Sequence, residues 1–416
     1  MPAILILISV GFLIGAWMIG GTIPMMVFYG LTYIDPSYFY VSAFLLTALV
    51  STCTGTSWGS AGTIGVALMG VALGLNLSLP VAAGAVLSGA YFGDKLSPLS
   101  DSTNLAAIAA GTSLYQHVGH MLWTTGPGFI VCCAIYTYIG MSQHIGHIEA
   151  PERIIQITNA LDGSFNFNFL VILPPVLVLA GSFLRLPTIP VMFLASALAL
   201  FNANVFQGFG LSDTCEAVIG GFKLSMIANQ DLVASFPPDV ARLLERGGMN
   251  AMMGTLVICF CAFAFAGSMS VANSLQIVIG KFLSGVKTVF GLIATTLVST
   301  LLICGITSNG QLSVLLPGEM FKDTYRKFGL DPKNLSRTAE DAGTVVEPIL
   351  PWTAAGVYMA TMLGVPTLEY LPWAFLNYTG MIFALLWAAT GIGIAKLKMQ
   401  PKNEFEVAAK KETNVI

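Results

Sequence analysis

The stretch GDKLSPLSDSTNLAA, residues 93–107, brings acidic, basic and hydroxyl side chains together in a chain that has few charges. Charged residues make up 9% of the 416, yet Asp94, Lys95 and Asp101 fall within eight positions. The neutral oxygen-bearing side chains around them include Ser100, Ser102, Thr103 and Asn104. Oxygen ligands of this kind suit a hard cation, and a carboxylate can also carry a proton. The stretch therefore indicates a site for a small cation or for a proton.

The elements that carry these residues are expected to cross a membrane. The chain is 55% hydrophobic, more than soluble domains usually are. A bilayer core needs about 20 apolar residues per helix. Apolar windows of about that length lie at residues 3–21, 119–140, 168–184, 187–209, 251–270, 288–304 and 370–395. The composition predicts an all-α polytopic membrane protein, and the absence of a basic run argues against nucleic acid as a partner.

Three carboxylates are candidates for the group that holds either a cation or a proton. Carboxylates inside a membrane are costly and by default functional. Asp101 ranks first because it follows Pro98 by three residues and stands among hydroxyls, so Asp101→Asn is expected to abolish cation-dependent proton movement. Asp94 ranks second because the adjacent Lys95, its expected charge partner, would keep it ionised. Glu347 ranks third, in the matching position of the second half of the chain.

The two halves of the chain are similar at an offset of 250 residues. Five pairs coincide at this shift: Gly30 with Gly280, Gly55 with Gly305, Gly93 with Gly343, Pro98 with Pro348, and Thr103 with Thr353. Most of the matches fall at polar interruptions of apolar segments, which in two halves of a chain point to a transporter binding site. The prediction is two inverted repeats with broken helices or re-entrant hairpins, at 1–146 and 251–396. A segment with one helix pair, 147–250, connects them, and a tail, 397–416, follows.

The interruptions are expected to form the ion site between the repeats. A broken helix survives in lipid only where it lines a cavity inside the protein. Its exposed carbonyls, together with side-chain oxygens, can hold a hard monovalent cation. The first half is expected to contribute Thr56, Ser57, Ser100, Asp101, Ser102, Thr103 and Asn104. The second half is expected to contribute Thr307, Ser308, Asn309 and Thr353.

Basic residues predict the orientation. Lys and Arg collect in 322–337 and in the C-terminal tail, 397–416, and positive charge near helix ends favours the cytoplasm. Both segments are therefore expected on the cytoplasmic side. Glu319, Glu340 and Asp341 are close to the first of them and are expected to be solvated.

Histidine and cysteine spacing does not suggest a metal centre. Most of the seven cysteines lie in apolar segments, where a thiol usually acts as a small hydrophobe. Neither residue type has the spacing of a zinc site. The four histidines, His117, His120, His144 and His147, are expected at water-exposed helix ends. No cofactor or resident metal is predicted.

Two other classes of function are compatible with single features. GTSWG, residues 55–59, matches the G-x-S-x-G nucleophile elbow, so an intramembrane serine hydrolase could use Ser57 with His117 or His120. That motif needs a strand–turn–helix context, whereas here it interrupts an apolar helix. A passive channel also remains open, and it differs from an exchanger because a pH gradient could not drive Na+ uphill through it.

Long motifs spread over nearly the whole chain resemble the NhaC family of Na+/H+ antiporters: TIPMMVFYGL, GTSWGSAGTIGVALMGVA, SGAYFGDKLSPLSDSTNLAA and SRTAEDAGTVVEPILPWTAAGVYMATMLGV. The resemblance implies Na+/H+ antiport in a bacterial inner membrane, with Na+ and protons as substrates. Exchangers that couple Na+ and protons to malate and lactate belong to the same family and are the alternative. A homodimer is one of the oligomeric states left open. Members usually begin with a further helix pair, so this chain is expected to lack the counterpart of the pair at 168–184 and 187–209.

Overall fold

The structure, a computed structural model, describes residues 2–142, 150–184, 186–234, 247–272 and 285–397, with residues 236, 240, 241, 244, 245, 277, 280 and 281 between them. Its regular structure is helical. The β-bridge found within these ranges is an isolated pair, Leu330 with Lys396. The all-α prediction is confirmed.

The first part of the chain forms eight α-helices among the described residues. They are α1 (Pro2–Ile19), α2 (Thr22–Tyr33), α3 (Phe39–Thr54), α4 (Ser57–Ser60), α5 (Val66–Gly74), α6 (Leu79–Leu96), α7 (Asp101–Ala110) and α8 (Leu114–Ser142). A π-helical segment, Ala61–Gly65, joins α4 to α5, and a 3-10 turn, Pro36–Tyr38, precedes α3. The longest of these helices is α8.

The middle and last parts follow the same pattern of long and short helices. The middle part contains α9 (Ala150–Ser164), α10 (Leu173–Phe183), α11 (Thr188–Val205), α12 (Leu211–Gly220) and α13 (Gln230–Ala234). The last part contains α14 (Met253–Val271), α15 (Val289–Thr307), α16 (Gly310–Lys327), α17 (Pro332–Ala342), α18 (Ala354–Leu363), α19 (Thr367–Tyr370) and α20 (Phe375–Thr390). Further 3-10 turns lie at Phe169–Ile172, Leu224–Met226, Met249–Met252, Glu347–Ile349 and Leu371–Trp373.

Several helices are long and apolar enough to cross a bilayer. By length and composition, four spans are found in the described part of the chain: Pro36–Thr54, Ser57–Gly74, Leu114–Ser142 and Val289–Thr307. Three bent helix pairs raise the number to seven if each pair counts as one span; the bends are 68° between α1 and α2, 107° between α9 and α10, and 52° between α19 and α20. A polytopic membrane protein with broken helices is thus confirmed.

The polar interruptions that contain the predicted ligands are four breaks between helices. The first break is at Gly55 and Thr56, between α3 and α4. The second, 97–100, separates α6 from α7, and the third, Ser308 and Asn309, separates α15 from α16. The fourth, 343–353, separates α17 from α18 and contains the turn Glu347–Ile349. Short polar and glycine-rich runs end these helices because their side chains compete with the helix for backbone hydrogen bonds or favour left-handed backbone.

Equivalent backbone features recur at a spacing of 253 residues, which corrects the predicted offset of 250. Positions with left-handed backbone match in three pairs: Gly55 with Ser308, Asn76 with Gly329, and Gly111 with Gly364. Helix N-caps match in three more: Thr56 with Asn309, Ser78 with Asp331, and Ser100 with Thr353. A helix-to-helix hydrogen bond matches as well, because Ser51 Oγ donates to the Ala90 carbonyl and Cys304 Sγ to the Gly343 carbonyl. At this register Asp94 corresponds to Glu347, whereas Asp101 corresponds to Ala354.

Parts of the two segments expected on one side of the membrane lie next to each other. The amide of Asp331 donates to the carbonyl of Ala395, and the amide of Leu397 donates to the carbonyl of Gly329. The end of the basic stretch and the start of the tail therefore share one surface. Residues 398–416 lie outside the described part of the chain.

Candidate ion and proton site

Asp94 occupies a polar niche where the first two breaks touch. The hydroxyl of Ser57 donates to Asp94 Oδ2 at 2.8 Å, and the hydroxyl of Ser100 interacts with the carboxylate. The breaks can approach because Gly55 has no side chain: a Cβ there would lie 2.7 Å from Leu99 Cβ. Ser57 is the first residue of α4 and Ser100 is the N-cap of α7, so two helix N-termini converge on the carboxylate, where their dipoles favour negative charge.

Glu347 occupies the equivalent niche in the second half. The backbone amides of Gly310 and Ala355 interact with its carboxylate, and these residues lie in the first turns of α16 and α18. A Cβ on Gly310 would lie 2.5 Å from Glu347 Oε2. The hydroxyl of Thr353 donates to the Glu347 carbonyl at 2.6 Å. Two helix N-termini therefore hold each of the two matched carboxylates.

Aromatic residues join the two halves beside these niches. The rings of Trp58 and Tyr358 stack with centroids 4.4 Å apart, and the Tyr358 hydroxyl donates to the Trp58 carbonyl at 2.7 Å. Tyr91 lies near Ser57, and the charges of both Asp94 and Glu347 act on its hydroxyl. That hydroxyl is buried and has no hydrogen bond of normal length to the described residues. The stacked rings of Trp58 and Tyr358 thus connect the two halves next to the niches.

The remaining predicted ligands mostly satisfy backbone groups of their own half. Thr56 and Asn309 cap α4 and α16. Thr307 donates to the carbonyl of Ile303, and Ser308 to that of Trp352. Thr103 donates to the Asp94 carbonyl at 3.1 Å, and Asn104 donates to the carbonyls of Pro98 and Ser100. These residues shape the breaks.

Asp101, ranked first from the sequence, is exposed at the start of α7. The structure therefore does not bring it to Asp94 or Glu347. Its side chain points outward because it follows the N-cap directly, while the next two residues, Ser102 and Thr103, turn inward and are buried.

The acidic residues expected in solvent are buried instead. Lys95 forms an ion pair with Asp341, not with Asp94, and the two side chains are 2% and 0% exposed. Thr124 donates to the same Asp341 oxygen at 3.1 Å. Arg337, counted in the basic stretch, is fully buried and donates to the Gly393 carbonyl. The helix that carries Arg337 and Asp341, α17, packs between α7, α8, α16 and α20, so its polar face has no access to water.

Glu340, on the same helix, connects the second half of the chain to residues of the first half. Its Oε2 lies 2.6 Å from His117 Nε2, and its Oε1 accepts from Ser102 at 3.3 Å. His117 Nδ1 lies 2.8 Å from Ser336 Oγ, and His120 Nε2 lies 3.1 Å from Asn334 Oδ1. The expectation of water-exposed histidines is therefore wrong for both, which lie in α8 and are buried. His144 and His147 lie outside the described residues.

At the spacing of 253, the sequence itself indicates that Glu340 and Asp341 are buried. Glu340 and Asp341 correspond to Leu87 and Ser88, which lie well inside the apolar helix α6. At the predicted offset of 250 this correspondence is not visible, and the nearby basic stretch suggested that Glu340 and Asp341 face solvent.

The structural context of GTSWG is not that of a hydrolase. Gly55 and Thr56 link two helices, whereas a nucleophile elbow links a strand to a helix. Ser57 bonds to Asp94, and His117 and His120 bond to residues of α17. In the described part of the chain no group of three or more His, Cys, Asp or Glu is placed to hold a metal ion.

Comparison with known proteins identifies one family. Residues 89–392 match the model of the Na+/H+ antiporter family. The chain is 55% identical over 398 residues to an uncharacterized Na+/H+ antiporter of Haemophilus influenzae, covering 96% of this chain and 84% of the relative. It is 36% identical over 394 residues to the Na+/H+ antiporter NhaC of Alkalihalophilus pseudofirmus, covering 94% and 83%. It is 33% identical over 394 residues to the malate-2H+/Na+-lactate antiporter of Bacillus subtilis, covering 94% and 81%.

Proposed function

The chain belongs to the Na+/H+ antiporter family, as a multi-pass protein of a bacterial membrane, and from that premise we propose that it exchanges Na+ for H+ by alternating access. The observation that supports this most directly is the matched pair of carboxylates, Asp94 and Glu347. Each lies at a helix break, surrounded by helix N-termini and hydroxyl or amide groups.

The geometry suits a group that binds a proton and a cation alternately. An antiporter needs a site that one ion vacates before the other binds, because simultaneous binding would not couple their movements. A carboxylate fulfils this requirement, since protonation removes the charge that attracts Na+. Around Asp94, the Ser57 hydroxyl can turn its lone pairs towards a cation when its proton is no longer donated. Na+ is the transported substrate here.

Asp94 and Glu347 replace Asp101 as the proposed ion-binding carboxylates. Asp101 is exposed, and its equivalent at the spacing of 253 is Ala354, which has no carboxylate. A site at the interface of two similar halves is expected to use groups that both halves supply.

The repeats, near 1–146 and 251–396, remain part of the proposal. Rocking of one half against the other would open the site to each side in turn. The stacked Trp58 and Tyr358 lie where the halves meet, so their contact would change during this movement.

Organic acid exchange is the alternative, because one relative is named a malate-2H+/Na+-lactate antiporter. A carboxylate substrate would need a cationic partner in the site. Lys95, next to Asp94 in sequence, is paired with Asp341, and Arg337 is fully buried and bonds a carbonyl. We therefore favour exchange of inorganic cations alone.

Transport by the purified protein in liposomes tests the proposal. Addition of Na+ should move protons across the membrane in the opposite direction, measured with a pH-sensitive dye, and malate or lactate should not be required. Asp94→Asn and Glu347→Gln should abolish this movement. Asp101→Asn, which changes an exposed carboxylate on the neighbouring helix, should retain most of it.

Two results would contradict the proposal. Proton movement that needs malate or lactate would establish the alternative substrate. Wild-type rates in folded Asp94→Asn protein, together with loss in Asp101→Asn, would restore Asp101 as the ion-binding group.

A further inference from the structure

A series of hydrogen bonds runs from the buried face of α17 to Ser100, beside the niche of Asp94. It begins at Ser336, whose hydroxyl donates to the carbonyl of Lys333 at 3.0 Å. Lys333 is half-buried and lies two residues from Asp331, which bonds the segment at Ala395. This end is therefore close to the surface that the loop 322–337 shares with the start of the tail.

The next links pass through an imidazole and a carboxylate. Ser336 Oγ lies 2.8 Å from His117 Nδ1, and His117 Nε2 lies 2.6 Å from Glu340 Oε2. His117 and Glu340 are both 0% exposed. Imidazole can accept a proton on one ring nitrogen and release another from the second. His117 can thus transfer a proton between Ser336 and Glu340 without moving.

The last links are hydroxyls at the break between α6 and α7. Glu340 Oε1 accepts from Ser102 at 3.3 Å, and Ser102 Oγ lies 2.9 Å from Ser100 Oγ. The Ser100 hydroxyl, at the N-cap of α7, interacts with the Asp94 carboxylate. Each hydroxyl can accept one proton while it donates another. The series ends at a carboxylate proposed to exchange ions.

The charged and titratable side chains near Glu340 and His117 interact with other partners. Lys95 is paired with Asp341, and Arg337 lies on the same side of α17 as Asp341 and interacts with its charge. His120 bonds Asn334. His117 is therefore the titratable side chain in contact with the Glu340 carboxylate.

We propose that Ser336, His117, Glu340, Ser102 and Ser100 form the route by which protons pass between the surface near Lys333 and Asp94. The inference rests on the proposed Na+/H+ exchange. When Asp94 releases its proton to Ser100, Ser100 passes its own to Ser102 and Ser102 passes its own to Glu340. Glu340, which carries a proton on Oε2 before the transfer, gives that proton to His117 Nε2 as it receives the one from Ser102 on Oε1. His117 gives its Nδ1 proton to Ser336, and Ser336 gives its own to a water molecule that enters from the surface near Lys333. One proton leaves Asp94 and one reaches water, and the intermediate groups are restored after their hydroxyls, carboxyl oxygens and ring nitrogens exchange roles.

Na+ does not need this route. The contacts among the hydroxyl, carboxylate and imidazole groups of the series are 2.6 to 3.3 Å long and leave no room for an ion between their atoms. Blocking the route should therefore slow exchange of Na+ for protons while leaving exchange of Na+ for Na+ intact.

Two transport measurements on the same liposomes separate these activities. One is proton movement driven by Na+, and the other is exchange of labelled for unlabelled Na+ without a pH gradient. His117→Gln and Glu340→Gln should slow the first by about tenfold or more, since proton transfer by a positioned group is lost, and should leave the second near wild type. His120→Gln is the matched control, because it replaces a buried histidine of the same helix that is outside the series.

Ser102→Ala removes one central hydroxyl and no charge, so it tests the route if a charged-group variant fails to fold. It should show the same separation of the two activities. Wild-type proton coupling in His117→Gln, Glu340→Gln or Ser102→Ala would overturn the route. Equal loss of both activities in folded Ser102→Ala would also overturn it, because the residue would then act on Na+ or on structure. If wild-type protein itself showed no Na+-driven proton movement, the proposed function would be wrong rather than the route.

Discussion

At the scale of single residues, the ion pair of Lys95 and Asp341 has the largest predicted effect on stability. Both side chains are almost fully buried, and removing one partner from such a pair leaves an uncompensated charge that costs about 3–5 kcal/mol. Lys95→Met should therefore lower the thermal stability of the detergent-solubilised protein strongly. Adding Asp341→Asn should recover much of the loss, because the stranded charge is then removed.

The exposed pair of Lys223 and Glu216 gives the matched control. Its atoms are 2.9 Å apart, but the side chains are 53% and 49% exposed. Exposed pairs contribute about 0–1 kcal/mol, so Lys223→Met should hardly change the unfolding temperature. Equal effects of Lys95→Met and Lys223→Met would show that the buried pair is not formed in the protein.

Sequence reasoning found the niche at the break after α6 but ranked first a carboxylate, Asp101, that is exposed in the structure. Asp101 stands among hydroxyls in the sequence, whereas in the helix only Ser102 and Thr103 of its neighbours turn inward. The side-chain direction depends on where the helix begins, and a shift of one residue rotates it by about 100°. The pairing of Lys95 with Asp341 joins residues 246 apart in sequence, and local spacing cannot predict such a contact.

At the scale of elements, the start of α16 depends on the absence of a side chain at Gly310. Gly310 lies against the Glu347 carboxylate, and a Cβ there would lie 2.5 Å from Oε2. Gly310→Ala should displace the carboxylate and reduce Na+-driven proton movement, at a cost of about 1–3 kcal/mol for the forced rearrangement. Gly305→Ala, in α15, is the control: the nearest atom to its Cβ would be 3.9 Å away, on Trp352. Wild-type transport by Gly310→Ala would mean that this close approach is not needed.

The helices themselves were partly predictable. Apolar windows predicted the long helices, and glycine and polar residues predicted all four breaks. The short helix α17 was missed as a buried element because 11 residues with Arg337, Glu340 and Asp341 have the composition of a surface helix. Its burial follows from its packing against α7, α8, α16 and α20, which only the three-dimensional arrangement reveals.

At the scale of the whole molecule, the two halves share backbone roles more than residue types. The left-handed position is glycine at 55 and serine at 308, and the cap after it is Thr56 or Asn309. A comparison that rewards identical glycines and prolines therefore settles on 250, whereas the conformations repeat at 253. Different residues can fill one role because a left-handed backbone position or a helix cap accepts several side chains.

The inversion of the repeats stays a prediction, and the register of 253 supplies its test. Asn76 and Gly329 are equivalent exposed turns, after α5 and α16. In inverted repeats, equivalent turns lie on opposite sides of the membrane, whereas in parallel repeats they lie on the same side. The segment around Gly329 is expected in the cytoplasm because it follows Arg326 and Lys327.

In a protein without its seven native cysteines, a membrane-impermeant thiol reagent applied outside intact cells should therefore label Asn76→Cys. Lys327→Cys, also exposed and two residues before Gly329, should be labelled only in inside-out vesicles. Lys396→Cys should behave like Lys327→Cys, because residues 395–397 bond the chain at 329–331. Labelling of Asn76→Cys and Lys327→Cys from the same side would establish parallel repeats. The two carboxylate niches would then be related by an axis along the membrane normal, and not by one in the membrane plane.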